Sequence, residues 1–335
     1  MKERLAQLLN QPIADVQKLF GEASYRTYWR VFLENGATFV LMAMPEGKMS
    51  ASEEITNLKE KPQELPFINI QKFLKNSGVP VPKIELFSEP DRWLLLEDLG
   101  DVKFFDVVSN AAPEEQIGWY KKAIDLLIEL QNKTDRMTHD AQRMTCVAFQ
   151  RTFDATLLNW EFDHFLEFYF KLSAVSCQPS AKDKKIFEEE TRKITEELCR
   201  LPTGFTHRDY QSRNLMIHNG EIILIDFQDA LLGPKVYDMV CLLRDSYVDV
   251  TPHLDDLLAY TCEKSGADPK TFRRQFDLQT VQRKLKDSGR FVFIDRVKKN
   301  PNFLPYIPTS MEYVKQALKR LPEYKKLLDL LTADS

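Results

Sequence analysis

The sequence predicts an α+β protein in two lobes: a small antiparallel sheet over residues 1–97 and a larger, mainly helical lobe over residues 98–335. Three observations carry this expectation. The chain of 335 residues is longer than a single hydrophobic core usually serves. Short runs rich in aromatic and β-branched residues, separated by turn residues, end with Trp93-Leu94-Leu95-Leu96. Beyond Glu97-Asp98-Leu99-Gly100-Asp101, apolar residues recur at helical spacing, broken by a single hairpin pattern.

In chain order, Lys2 to Leu9 puts Leu5, Leu8 and Leu9 on one helical face. Tyr25 to Leu33 and Thr38 to Met44 read as strands joined by Glu34-Asn35-Gly36, a turn of the Asn-Gly kind, and Pro45 stops the second. Phe67 to Asn76 is a helix carrying Phe67, Ile70, Phe73 and Leu74 on one face and ending at Ser77-Gly78. Pro80 and Pro82 then hold the backbone extended. Ile84 to Phe87 and Arg92 to Leu96 are two more strands, connected through Glu89-Pro90-Asp91. In the second lobe Gln116 to Asn132 and Thr156 to Leu172 are amphipathic, and the aromatic stripe of the latter reads as a core face. Lys182 to Leu198 is a charged helix with a solvated face. Leu215-Met216-Ile217 and Ile222-Ile223-Leu224-Ile225 flank an Asn219-Gly220 turn, and helices resume after Pro234 to the end.

Composition excludes several classes. A net charge of −4 gives no field to recruit nucleic acid or an anionic membrane. Cys146, Cys177, Cys199, Cys241 and Cys262 are odd in number and far apart, which argues against disulfides and structural zinc. Met1-Lys2-Glu3-Arg4 leads into an amphipathic segment, no run is apolar enough to span a bilayer, and a cytoplasmic monomer acting on a small molecule is expected.

The chemistry concentrates between Phe205 and Phe227. Asp209 lies in a polar loop, Asn214 follows five residues later, and Asp226 twelve residues after that, at the end of an apolar run. Asn214 precedes the first hairpin strand and Asp226 follows the second, so an antiparallel hairpin brings them to the same end. Two hard oxygen ligands suit Mg²⁺ on nucleotide phosphates, and Asp209 is then placed to take a proton from an attacking hydroxyl. Each residue alone has an ordinary reading as a turn or cap; together they point to phosphoryl transfer from ATP.

His207-Arg208-Asp209 with Asn214, and Asp226-Phe227 downstream, resemble the kinase signature H-R-D-x-x-x-x-N followed by D-F-G. The resemblance implies a bilobal protein-kinase-like fold. In it Leu96 to Leu99 form a hinge, with Glu97 and Leu99 at the nucleotide, and Gly21 to Thr27 form the loop over the phosphates, with Ser24, Arg26 and Thr27 as donors. The continuation Asp226-Phe227-Gln228-Asp229 to Gly233-Pro234 and Tyr237-Asp238 is similar to the aminoglycoside phosphotransferase and choline kinase superfamily. There Asp238 matches an acid that braces the catalytic loop, alongside His207 and Arg208. Residues 21–26, 207–216, 241–247 and 276–286 look most like the anomeric N-acetylmuramate/N-acetylglucosamine kinases of cell-wall recycling. Asp229 and Arg244 are candidate sugar contacts, each with an equal reading as a surface ion-pair partner.

Two departures accompany it. The loop at 21–27 has one glycine, and Met42 stands where kinase-like folds carry a strand lysine, so Arg26 or Lys48 is the candidate replacement charge. Kinases of an aminoglycoside, choline, ethanolamine or homoserine are the neighbouring alternatives. A nucleotide-binding module without turnover is the alternative of another class.

Overall fold

Leu41 and Met42 are neighbours on one strand and face opposite ways, and their surroundings show how the first lobe is layered. The structure is a computed structural model and describes residues 1–19, 26–44, 64–136, 141–169 and 180–332. Strands β1 (Ile13–Leu19), β2 (Thr27–Leu33), β3 (Thr38–Ala43), β4 (Ile84–Ser88) and β5 (Trp93–Glu97) form an antiparallel sheet in the order β1-β2-β3-β5-β4. On one face Leu41, Val31, Leu33 and Leu95 pack with Leu5 of helix α1 (Lys2–Leu9). On the other, Met42, Leu94 and Leu96 join the main core with Phe67, Ile70 and Leu74 of helix α2 (Pro66–Asn76). Among the described strands of this sheet, β1 is the one without an expected counterpart. Apart from Ile13 its residues are not buried, so it carries little apolar pattern and is set by pairing with β2.

After Glu97 come helices α3 (Phe104–Asn110), α4 (Pro113–Arg136), α5 (Ala141–Thr145), α6 (Ala155–Phe168) and α7 (Ala181–Leu198). The expectation of a single hairpin in this part needs correction. Besides β7 (Leu215–His218) and β8 (Glu221–Leu224), strand β6 (Thr203–Thr206) pairs with β9 (Leu231–Pro234). Each has four residues and contains a glycine, and β9 ends on proline, so neither has local strand preference. Their pairing sets Thr206 opposite Leu231 and lays the 207–214 loop beside the segment after β8.

Helices α8 (Tyr237–Leu243), α9 (Leu254–Ser265), α10 (Pro269–Lys298), α11 (Ile307–Lys319) and α12 (Lys325–Thr332) complete the chain. The long α10 crosses α6 at Gly289, where a Cβ would lie 2.6 Å from the Phe165 Cα, so only glycine permits this approach. That close crossing fixes the α10 residues that reach the catalytic loop. Several contacts among the described residues join the first lobe to the second, two of them beside the cleft. Arg30 on β2 donates to Asp98 (2.8 Å) and Asp101 (3.0 Å), and Phe67 of α2 packs at a tilt on Phe227 with ring centroids 4.8 Å apart.

Candidate active site

The loop after β6 is held from below. Arg208 adopts φ 75°, a left-handed conformation unfavourable for a non-glycine residue. It persists because the buried Asp238, in the first turn of α8, accepts the backbone N–H groups of His207 (2.6 Å) and Arg208 (3.0 Å). The Arg208 guanidinium donates to Glu161 on α6 (3.3 Å), which also accepts from Gln282 on α10 (2.6 Å). His207 is fully buried. The Asp209 N–H donates to its Nδ1 (3.4 Å), and its Nε2–H donates to the Ile225 carbonyl (3.0 Å). Burial pushes the imidazole down to about 4, against the pull of Asp209, so it is the neutral ring that bridges the two segments.

The β7–β8 ladder continues by one more bond, from the Ile225 N–H to the Asn214 carbonyl (3.1 Å). Asn214 and Asp226 therefore stand at the same end of the hairpin. The Asn214 Nδ2 donates to the Asp209 carbonyl (3.0 Å), which leaves Oδ1 as the open end of the amide among the described residues. Asp226, at φ 63°, accepts from Gln228 (2.9 Å), whose amide also donates to Asp229 (3.2 Å). Arg26, just before β2, approaches Asp226 to 3.6 Å. Burial pushes the Asp226 carboxyl up to about 6; Arg26 opposes this, and Asp209 and Asp229 add to it. Asp226 thus has two acidic neighbours and, among the described residues, one guanidinium at ion-pair distance, a local deficit of positive charge that Mg²⁺ fits. No cluster of three His, Cys, Asp or Glu arranged for a metal occurs among the described residues. An amide oxygen and a carboxylate suit an ion that takes its other oxygens from phosphates and water.

Asp209 sits on the other wall of the cleft. Its Oδ1 accepts from the Arg283 Nη2 of α10 (2.8 Å), and its side chain keeps 35% of its surface exposed while that of Arg283 keeps 2%. Arg283 also meets Asp287 (3.5 Å) and the Tyr237 hydroxyl (3.3 Å). Burial alone raises the Asp209 carboxyl, but Arg283, Lys286 and Arg208 outweigh it and hold it well below the usual carboxylate range. Arg283 is not among the residues expected at the site; its segment 276–286 enters only through the family resemblance, and α10 buries Arg283, Lys284, Leu285 and Asp287 but not Lys286.

The remaining candidate residues are placed unevenly. Ser24 and Lys48 lie outside the described residues. Thr27 opens β2 opposite Ala43. The Glu97 carboxylate accepts the Lys83 N–H (3.1 Å), and the Leu99 carbonyl accepts from the His218 ring (3.1 Å). Asp229 is at the site through Gln228. Arg244 is not. It is buried, donates to Gln316 (3.1 Å), and lies over the Tyr313 ring 4.7 Å from its centroid, because α8 ends by turning this side chain towards α11. Met42 is fully buried against α2, so the position of the strand lysine is apolar.

A family model described as the phosphotransferase enzyme family matches residues 15–273. The chain belongs to this family. Membership accounts for the cleft just described: this phosphotransferase is a kinase that moves a phosphoryl group from a nucleotide to a hydroxyl. The N-acetylmuramate/N-acetylglucosamine kinase of Pseudomonas putida is 29% identical over 96% of this chain and 88% of its own length. The protein of that name from Pseudomonas aeruginosa is 29% identical over 96% and 89%. Among solved structures, choline kinase LicA from Streptococcus pneumoniae superposes with TM-score 0.59 at 14% identity, covering 96% of this chain and 98% of that one. ADP-bound aminoglycoside phosphotransferase APH(2'')-Ib superposes with TM-score 0.57 at 15% identity, covering 93% and 95%. At these identities the structures establish the fold of the phosphotransferase and not its substrate.

Proposed function

We propose that this phosphotransferase transfers the γ-phosphoryl group of ATP, as its Mg²⁺ complex, to the anomeric hydroxyl of an N-acetylated amino sugar of the N-acetylmuramate/N-acetylglucosamine kind, a cytoplasmic step of peptidoglycan recycling. The observation that carries the choice of substrate is the cationic wall at Asp209, with Arg283 in contact and Arg208 and Lys286 acting on it. A cationic acceptor such as choline or an aminoglycoside is repelled by such a wall, whereas a neutral or acidic sugar is not. The names of the relatives that match along nearly the whole chain support the same reading.

Asp209 is the proton acceptor. Arg283 fixes Oδ1 and leaves Oδ2 to meet the attacking hydroxyl. A carboxylate weakened by Arg283 matches a hemiacetal hydroxyl, which gives up its proton more readily than an ordinary alcohol. Asp238 and Glu161 hold the loop that carries the base, one through backbone N–H groups and the other through Arg208. Arg26 brings positive charge to the metal side of the cleft, in a fold whose Met42 has none. Asn214 and Asp226 would hold Mg²⁺, which would supply charge neutralisation at the phosphates.

An ATP-consumption screen over N-acetylated amino sugars, aminoglycosides, choline and homoserine tests the proposal, with ³¹P NMR of the product. The expected result is turnover of the N-acetyl sugars with the phosphate on C1. Turnover confined to a cationic alcohol overturns it.

A further inference from the structure

Asp287, on α10, is one carboxylate among three cations. Lys284 lies 2.8 Å from it, Arg283 3.5 Å and Lys286 3.6 Å. Lys284 also hydrogen-bonds Ser246, and Arg283 holds Asp209. Lys286 differs from both. Its side chain is only 18% exposed, its contact with Asp287 is beyond hydrogen-bond reach, and it makes no hydrogen bond among the described residues. Its stem is covered, but its Nζ is not among the buried atoms left without a partner, so its three donors face solvent and can be taken up by a ligand. Its charge bears on Asp209 on one side and on His164 of α6 on the other. His164 is itself buried with Nε2 unpartnered, its ring stacked on Trp160 at 5.3 Å. The place beside the base therefore has cationic and polar capacity that the protein does not use internally.

We propose that Lys286 receives a carboxylate carried by the acceptor sugar, so that the enzyme favours the lactyl-bearing acid N-acetylmuramate over the neutral N-acetylglucosamine. The inference rests on the amino-sugar reading above and adds the residue that tells the two sugars apart. An ammonium–carboxylate contact of this kind is a charge-assisted hydrogen bond, strong enough to dominate the choice between two otherwise similar sugars.

The test compares kcat/KM for the two sugars in wild-type, Lys286→Gln and Lys286→Arg enzymes. Lys286→Gln is expected to lower kcat/KM for N-acetylmuramate about tenfold to a hundredfold more than that for N-acetylglucosamine, with the difference carried by KM. Lys286→Arg is expected to keep the wild-type ratio. The ratio of two sugars within one variant cancels any general damage to Asp209 or to folding. Equal losses for both sugars, or an unchanged ratio in Lys286→Gln, overturn the inference alone. A wild-type enzyme that turns over neither sugar overturns the amino-sugar reading, and this inference falls with it.

Discussion

Asp209 and Asp226 are the same side chain in the same cleft, with 35% and 39% of their surfaces exposed, yet their neighbours drive them in opposite directions. Around Asp209 stand Arg283, Lys286 and Arg208, which outweigh burial and keep it ionised. Around Asp226 stand Asp209 and Asp229, with Arg26 at 3.6 Å, and burial carries it up to about 6. One acid has cations to spare and the other lacks them. A group that must accept a proton and then release it belongs on the first wall, and a group that must hold a cation belongs on the second. Two carboxylates whose surroundings push them apart are how one fold divides acid–base work.

The largest break in this comparison is Asp209→Asn. It removes the proton acceptor and keeps the shape, so kcat is expected to fall about 10²–10⁴-fold while nucleotide binding by calorimetry is unchanged. Full-rate turnover in this variant would remove Asp209 from the chemistry. Next comes Arg283→Met, which takes away the ion pair that orients Oδ1. We expect kcat to fall about tenfold to a hundredfold with nucleotide KM nearly constant, and Arg283→Lys to restore part of the loss. A change confined to nucleotide KM contradicts this role. On the other wall, Arg26→Ala is expected to raise nucleotide KM by about threefold to tenfold and leave the sugar KM alone. An unchanged nucleotide KM excludes Arg26 as the replacement for the strand lysine.

One wall was legible in the sequence and the other was not, and the reason is distance along the chain. Asn214 and Asp226 meet through a hairpin whose register an Asn-Gly turn already fixes, and Asp209 lies within the same short stretch. The sheet of the first lobe was legible for the same reason, since Glu34-Asn35-Gly36 sets β2 against β3. The partners of the catalytic loop come from far away. Arg283 is 74 residues from Asp209, and Glu161 is 47 from Arg208. Nothing local separates these buried charges from solvated ones, because α10 is covered on most sides and its sequence shows no dry face. The partners of Arg244, a candidate sugar contact, are equally hidden from local pattern: the interior between α8 and α11 takes it up through Gln316, Thr251 and Tyr313.

The smallest expected effect reports on the cationic wall without touching the base. His164 lies on α6 between Trp160, Phe168 and Phe293, and burial, reinforced by Arg290 and Lys286, pushes its imidazole down to about 4. In the unfolded chain the same group takes a proton near its ordinary value of about 6.5. Between these values the unfolded state binds more protons, so the stability tied to neutral His164 is complete above about pH 6.5 and is lost as pH falls towards 4. Wild-type melting alone does not isolate this, because buried carboxyls such as Asp238, raised to about 7, take up protons in the folded state and pull the other way. The comparison with His164→Leu does isolate it, since that variant keeps the apolar contacts and loses only the titration. On going from pH 7 to pH 5, Tm of His164→Leu is expected to gain about 2–4 °C relative to wild type. Parallel Tm curves for the two proteins mean that His164 is protonated at its ordinary value, and the wall beside Asp209 then carries less positive charge than the disposition of Lys286 and Arg290 implies.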